Sequence, residues 1–338
     1  MSAARSIAKI VVGRQQSEGA GATVRRSIGV MNQRKFNPFL MFDHFSSSGA
    51  NGFPEHPHRG QETISLILHG AMAHEDFTGS KGILYAGDLQ FMTAGKGVVH
   101  SEMPVPNDDG SPTVGLQLWV DLPNHLKDAN PRYRDLRAWE IPEVTTDDGK
   151  VVIRVISGTS HGVESIKDLA YTPVHYYYYR VKAGGEFKQE LEPGFNYFLY
   201  VLNGKDLILN NDTKINQYEN VFFEEQGDHF TGKNLATTES KENEIEFVLI
   251  GGKKLEQETV QYGPFVASSS QGIQKAVLDY QSARNGFERV RQWRTLISDG
   301  VTKEMIEGPL EGNLEARELK KQAYLAAQKT AIPVKDEL

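Results

Sequence analysis

The chain has 338 residues, 39% of them hydrophobic, enough for about two packed domains and too many for a disordered chain or a mini-protein. Cysteine is absent, which excludes a disulfide framework, a thiolate zinc site, an iron–sulfur cluster and a cysteine nucleophile, so any metal must be held by nitrogen and oxygen. With 37 Lys plus Arg against 44 Asp plus Glu, the formal charge is −7, which argues against a phosphate-binding surface and direct nucleic-acid contact.

The first residues, Met1 to Val12, carry only the short apolar run Ile10-Val11-Val12 and do not read as a signal peptide. No apolar stretch approaches the ~18 residues of a membrane span, so no membrane contact is expected. From about residue 60 to 250, short apolar alternations bounded by Gly, Asn or Asp recur, the pattern of a mostly β protein. Ile64 to Gly70 leads into Ala71 to Phe77, with Gly87 to Met92 following. Phe198 to Leu202 leads through Asn203-Gly204 into Lys205 to Leu209, with Glu219 to Glu224 following. Asn-Gly predicts a hairpin with a primed turn at that step. Phe198 lies 134 residues after Ile64 and Asn220 lies 132 after Asp88, so the two units predict a duplicated small barrel.

The polar stretch Asn124 to Lys150, broken by Pro131 and Pro142, is expected to join the copies. A helix is predicted over Gln274 to Tyr280, capped near Asn285-Gly286. In the tail beyond Gly300, Asn313 caps a second helix with Ala316, Leu319, Ala323 and Ala327 on one face. The chain ends Lys335-Asp336-Glu337-Leu338, the letters of an ER-retrieval signal, and carries the sequon Asn211-Asp212-Thr213. Retrieval needs prior entry to the lumen, and no entry signal is recognisable, so both are expected to be coincidental.

Seven of the ten histidines lie between positions 44 and 125. His56-Pro57-His58 places two imidazoles at i and i+2, which in an extended strand share a face, and His100-Ser101-Glu102 does the same with an imidazole and a carboxylate. Three imidazoles and a carboxylate suit a divalent first-row metal and leave coordination positions open. Glu62 shares parity with His56 and His58 and competes with Glu102 for the fourth place. His44, His69, His74 and His125 read as surface or turn histidines.

Longer runs carry a family resemblance. Phe53-Pro54-Glu55-His56-Pro57-His58-Arg59-Gly60, Gly87-Asp88-Leu89-Gln90-Phe91-Met92-Thr93-Ala94-Gly95 and Gly97-Val98-Val99-His100-Ser101-Glu102-Met103-Pro104 resemble the pirin family of the cupin superfamily. Gly115-Leu116-Gln117-Leu118-Trp119, Tyr262-Gly263-Pro264-Phe265 and Asn285-Gly286-Phe287-Glu288-Arg289 extend the match to about residues 10–295. The resemblance implies an all-β fold of two tandem cupin (jelly-roll) barrels. Residues 1–136 would form the metal-bearing barrel, 137–150 a linker, 151–298 a metal-free barrel with a helix, and 299–338 an extra tail, partly helical or disordered.

The resemblance further implies one Fe(2+) per chain, held by His56, His58, His100 and Glu102, with Glu62 accepting an N–H from a ligand imidazole. In the second copy, Glu190, Glu192, Gly232 and Asn234 stand where the ligands would be. The implied activity is that of a quercetin 2,3-dioxygenase, inserting both atoms of dioxygen into a flavonol with ring cleavage and release of carbon monoxide, with Glu102 as general base. Phe53, Met92 and Phe42 would wall the pocket, with Asp43 and Gln117 as polar members. The alternative it implies is an iron-dependent nuclear co-regulator contacting transcription regulators, with Lys9, Arg14, Arg25 and Arg26 as a basic contact. Cytoplasm and nucleus are the compartments expected.

Overall fold

The structure, a computed structural model, describes residues 2–331. In chain order the strands are β1 (Ile7–Val12), β2 (Arg14–Glu18), β3 (Ala22–Ile28), β4 (Phe39–Ser47), β5 (Phe53–His58), β6 (Gln61–His69), β7 (Ala71–Asp76), β8 (Lys81–Tyr85), β9 (Leu89–Thr93), β10 (Val98–Val105), β11 (Thr113–Asp121) and β12 (Arg132–Leu136). They continue as β13 (Glu143–Thr146), β14 (Val151–Ser157), β15 (Thr159–Ser160), β16 (Val163–Glu164), β17 (Val174–Val181), β18 (Glu186–Glu190), β19 (Phe195–Asn203), β20 (Leu207–Leu209), β21 (Thr213–Ile215), β22 (Glu219–Phe223), β23 (His229–Asn234), β24 (Ile245–Lys253), β25 (Val260–Tyr262) and β26 (Phe265–Ala267). Helices α1 (Ser270–Gln281), α2 (Lys303–Glu307) and α3 (Leu314–Ala331) follow.

The expected duplication is present. One barrel pairs a large sheet, β12-β9-β6-β11-β4-β3-β2, with a small one, β5-β10-β7-β8. The other repeats the order as β1-β22-β19-β24-β17-β14-β13 and β18-β23-β20-β21.

Period-2 alternation gives the two barrels opposite interiors. On β11, Leu116, Leu118 and Val120 point away from the first barrel and share a cluster with Phe198, Tyr200, Val248 and Ile250 of the second. Gln117 and Trp119, of opposite parity, face the cavity inside the first barrel. In the second barrel the interior parity is apolar: Tyr197, Leu199, Val201, Phe247 and Leu249 pack with Phe187 and Phe230 into a solid core. Burying each such side chain stabilises the fold by roughly 1.5–3 kcal/mol. One barrel is thus filled, and the other keeps an open interior while packing its outer face on its neighbour.

Asn203-Gly204 does not close a hairpin. β19 pairs with β22 and β24, whereas β20 pairs with β21 and β23, so this step carries the chain from the large sheet to the small one. Only Gly204 needs a positive φ, +95°. Gly70, at +73°, makes the same crossing between β6 and β7.

The expected linker contributes β12 and β13, edge strands of the two large sheets. β1, within residues 1–136, completes the second barrel's sheet by pairing with β22. Conversely, α1 and β26 pack on the first barrel, where Phe265, Ile273 and Ala276 meet Phe77, Met92, Val98 and Val99. Ser269 caps α1 by accepting from the Gly272 N–H. The helix ends at Ser282, ahead of Asn285-Gly286, because Ala283 takes the left-handed conformation (φ +52°) and its N–H and that of Arg284 bond back to Tyr280 and Asp279.

Asn313 caps α3 as expected, accepting from the Ala316 N–H at 2.9 Å. The face shared by Ala316, Leu319, Ala323 and Ala327 is exposed, Leu319 by 72%. Arg317 makes the contact instead, bonding buried Asp88 at 2.7 Å between the rings of Tyr85 and Trp139. Lys335 to Leu338 lie outside the described residues.

His44 is a half-buried partner in the barrel contact, its Nδ1 3.2 Å from the Tyr200 hydroxyl. Burial, with Arg25 adding repulsion, holds its pKa down at about 4. Below about pH 6.5 the unfolded chain takes up a proton that the folded chain refuses, so stability is full above 6.5. It should then fall by about 1.4 kcal/mol per pH unit from this group as pH drops towards 4. Urea unfolding of wild type and His44→Gln at pH 7 and pH 5 tests this, and equal pH slopes would count against it.

Candidate metal centre

β5 and β10 run antiparallel with His100 opposite His56. The ladder then shifts register, so that Glu102 pairs with Phe53. This brings His56 Nε2 and His100 Nε2 to 2.9 Å of each other, and places His58 alongside, with ring centroids 4.9 Å from His100 and 5.0 Å from His56. One nitrogen from each of the three imidazoles lies within 4.8 Å of the others. Glu102 Oε2 is 3.9 Å from His100 Nε2.

The ring orientations are built in. His56 Nδ1–H donates to the Pro54 carbonyl at 2.7 Å, which leaves the Nε2 lone pair turned to the cluster. The Gln61 amide lies 2.9 Å from His58 Nδ1 and also donates to the Pro264 carbonyl of the distant β25–β26 turn. Ser65 Oγ donates to Gln117, whose amide donates to Glu102 at 3.3 Å.

These groups fit a divalent cation. Burial lowers the pKa of all three imidazoles, so they are neutral donors at pH 7. Burial pushes the Glu102 carboxyl up to about 7. His58 Nε2 is buried without a partner. A 2.9 Å separation of two lone-pair nitrogens is close to the cis edge, about 3.0 Å, spanned by two ligands about 2.1 Å from one ion.

Above the cluster opens a cavity of about 840 Å³. Val24, Leu40, Met41, Phe45, Phe53 and Met72 give it apolar walls, and Met31, 91% exposed, stands at its mouth. Arg26 grips Asp43 with two bonds of 2.8 and 2.7 Å and Glu18 with a third. Trp119 lines the floor with its ring edge-on to His58, and its indole N–H is buried without a partner.

Of the residues expected from sequence, His56, His58, His100 and Glu102 converge, and Phe53, Asp43 and Gln117 line the cavity. Phe42 and Met92 are core instead: Phe42 packs on Phe198 and Tyr200 between the barrels, and Met92 lies under α1. Glu62 does not receive an imidazole N–H. Its oxygens accept from Thr93 Oγ1 and from the N–H groups of Tyr171 and Thr172, tying the first barrel to the chain entering the second. His74 is not a surface residue either: it is buried, stacked on Tyr133 and 3.6 Å from Asp135.

The basic cluster is largely engaged, with Arg26 in its ion pairs and Arg25 over the Tyr218 ring. In the second barrel Glu190 and Glu192 are exposed, and a Cβ on Gly232 would come within 2.2 Å of the Phe187 ring. Sequence reasoning missed Gln61, Ser65, Arg26 and Trp119. For Trp119 the signal was available, since it shares parity with Gln117 on β11; for Ser65 it was not, because Glu62, the candidate on that strand, has the opposite parity.

Comparison with known proteins places the chain. The family profile Pirin matches residues 21–120, and Pirin C-terminal cupin domain matches 176–286. Human Pirin is 39% identical over 302 residues, covering 88% of this chain and 100% of that protein. A Pirin-like protein of Solanum lycopersicum is 41% identical over 289 residues, covering 86% and 96%. Among solved structures, a quercetin 2,3-dioxygenase from Acinetobacter baumannii superposes with a TM-score of 0.75 at 25% identity, covering 83% of this chain and 98% of that one. With both halves matched in order, the three-histidine cluster in the first, and 39% identity to human Pirin over most of the chain, the chain belongs to the pirin family.

Proposed function

We propose that the first barrel holds one Fe(2+) through His56, His58, His100 and Glu102 and catalyses quercetin 2,3-dioxygenase chemistry. The observation that carries this reading is three neutral imidazoles and a buried carboxylate at the floor of an open, mainly apolar cavity. Likeness to the Acinetobacter baumannii dioxygenase supports it. When bound, the ion supplies positive charge that acidifies a ligated hydroxyl, and a redox centre for dioxygen chemistry.

The chain's own groups do the rest. Phe45, Phe53 and Met72 enclose the flat rings of a flavonol and exclude water. Glu102 takes the proton of the flavonol 3-hydroxyl from its place at the edge of the cluster, its Oε2 3.9 Å from His100 Nε2. Gln117, held by Ser65, fixes the direction from which Glu102 approaches. The indole N–H of Trp119 is a free donor for a ligand oxygen beside His58.

Protein loaded anaerobically with ferrous iron, then given quercetin and air, should consume one dioxygen and release one carbon monoxide per flavonol lost, followed by the fading flavonol absorbance. Absence of turnover in protein shown to hold one iron per chain would overturn the activity.

A further inference from the structure

The family profiles end at residue 286, yet the chain continues across the back of the sheet that carries the ligands. On β5, β10 and β7 the inward residues alternate with Glu55, Ser101 and Glu75, which face outward. Ser101 and Glu75 are cross-strand partners, and Glu55 precedes His56.

Residues 295–298 touch all three. Thr295 Oγ1 and the Leu296 N–H donate to Glu75 Oε2 at 2.9 and 2.7 Å. Ser298 Oγ donates to Glu55 Oε2 at 2.7 Å and lies 3.4 Å from Ser101 Oγ. Because the Ser298 proton is spent on Glu55, Ser101 is the donor in that second contact. Between them, Ile297 is fully buried against Ala71, Ala73 and Met103.

Ser101 is also where the β5–β10 ladder breaks: His100 pairs with His56 and Glu102 with Phe53, so the single Ser101 stands opposite two residues of β5, Pro54 and Glu55, which form a bulge. At a bulge, ladder hydrogen bonds alone do not fix how one strand stands against the other. We propose that Ser298 is a positioning residue of the metal centre, joining the bulge of β5, through Glu55, to Ser101 of β10 from behind and so setting His100 and Glu102 relative to His56. This rests on the metal-centre reading above and extends it to a segment beyond the two family profiles.

The test loads full-length protein with cobalt(II), reading affinity by competition with a chelator and geometry by the ligand-field absorption bands. Ser298→Ala should bind cobalt on the order of tenfold more weakly, with shifted bands, as expected for a group that orients ligands from behind. Ser298→Thr, which keeps the hydroxyl, should restore both. Leu310→Ala, which weakens the same tail away from Ser101 and Glu55, should lower the melting temperature and leave the bands unmoved. Wild-type affinity and bands in Ser298→Ala, or equal shifts in Leu310→Ala, would overturn the proposal. Wild-type protein that takes up no cobalt would instead overturn the metal-centre reading, and this inference with it.

Discussion

His56→Ala is expected to abolish stoichiometric metal binding, and flavonol turnover with it, while leaving the barrel folded. The three imidazoles are neutral, so losing one removes no charge and strands no counter-charge. The only hydrogen bond it gives up besides the cluster contact is that to the Pro54 carbonyl, on a partly exposed strand. Two nitrogens and a carboxylate remain, a poor cage for a first-row ion. Metal linkage makes the contrast measurable without any assay of turnover. An ion at a hundred times its dissociation constant stabilises the folded state by about 2.7 kcal/mol, or roughly 5–10 °C in a domain of this size. Wild type should show that upward shift in melting temperature when metal is added, and His56→Ala should show none. A variant that kept one tightly held metal per chain would dismiss His56 as a ligand.

The convergence of the candidate ligands was legible because strand parity is a local property: His56 with His58, and His100 with Glu102, share a face whatever the rest of the chain does. Parity holds only within one strand, and Glu62 shows the limit: the chain turns at Arg59-Gly60, so Glu62 lies on β6 with the parity of Ile64 and Leu66, opposite to Gln61 and Ser65, and Thr93, Tyr171 and Thr172 take its oxygens. The duplication was legible in the recurring spacing of turns, but partner choice was not. Asn203-Gly204 marks a sharp reversal, and only the burial of β19 and β20 in different sheets decides that they do not pair. Phe42 was misplaced for a related reason, since the large sheet of the first barrel is buried on both faces and an apolar residue there can belong to either; Met92 has the inward parity, opposite to Leu89 and Phe91, but lies where α1 covers the barrel. Pro264 reaching Gln61, and Ser298 reaching Glu55, span about two hundred residues or more and leave no periodic trace.

Asp279→Ala should cost the protein about 3–5 kcal/mol, the loss expected when one member of a buried ion pair is removed and the other is left uncompensated. Asp279, 2% exposed, accepts from Arg59 Nη1 at 2.8 Å, Lys275 Nζ at 2.7 Å and Asn285 Nδ2 at 2.8 Å, which together hold its carboxyl well below the usual range. Lys275 reaches solvent and can be released, but Arg59 cannot, because its Nε is fixed to the Lys96 carbonyl and its guanidinium lies over the Phe287 ring. By comparison, losing the Ser269 cap of the same helix should cost only about 1 kcal/mol. Since the native pKa is depressed, the stabilisation is present above about pH 4 and lost only as pH falls through the native value, so the deficit should be the same at pH 6 and pH 8. The consequence runs on to the metal. Arg59 follows His58 and bonds through its backbone to Pro264 and Val266, and Pro264 holds the Gln61 amide that faces His58. Freed of Asp279, this corner should show raised hydrogen exchange over residues 264–287, with weaker metal binding as the smaller effect. Unchanged exchange there, with only global destabilisation, would mean that the pair supports the fold and not the site.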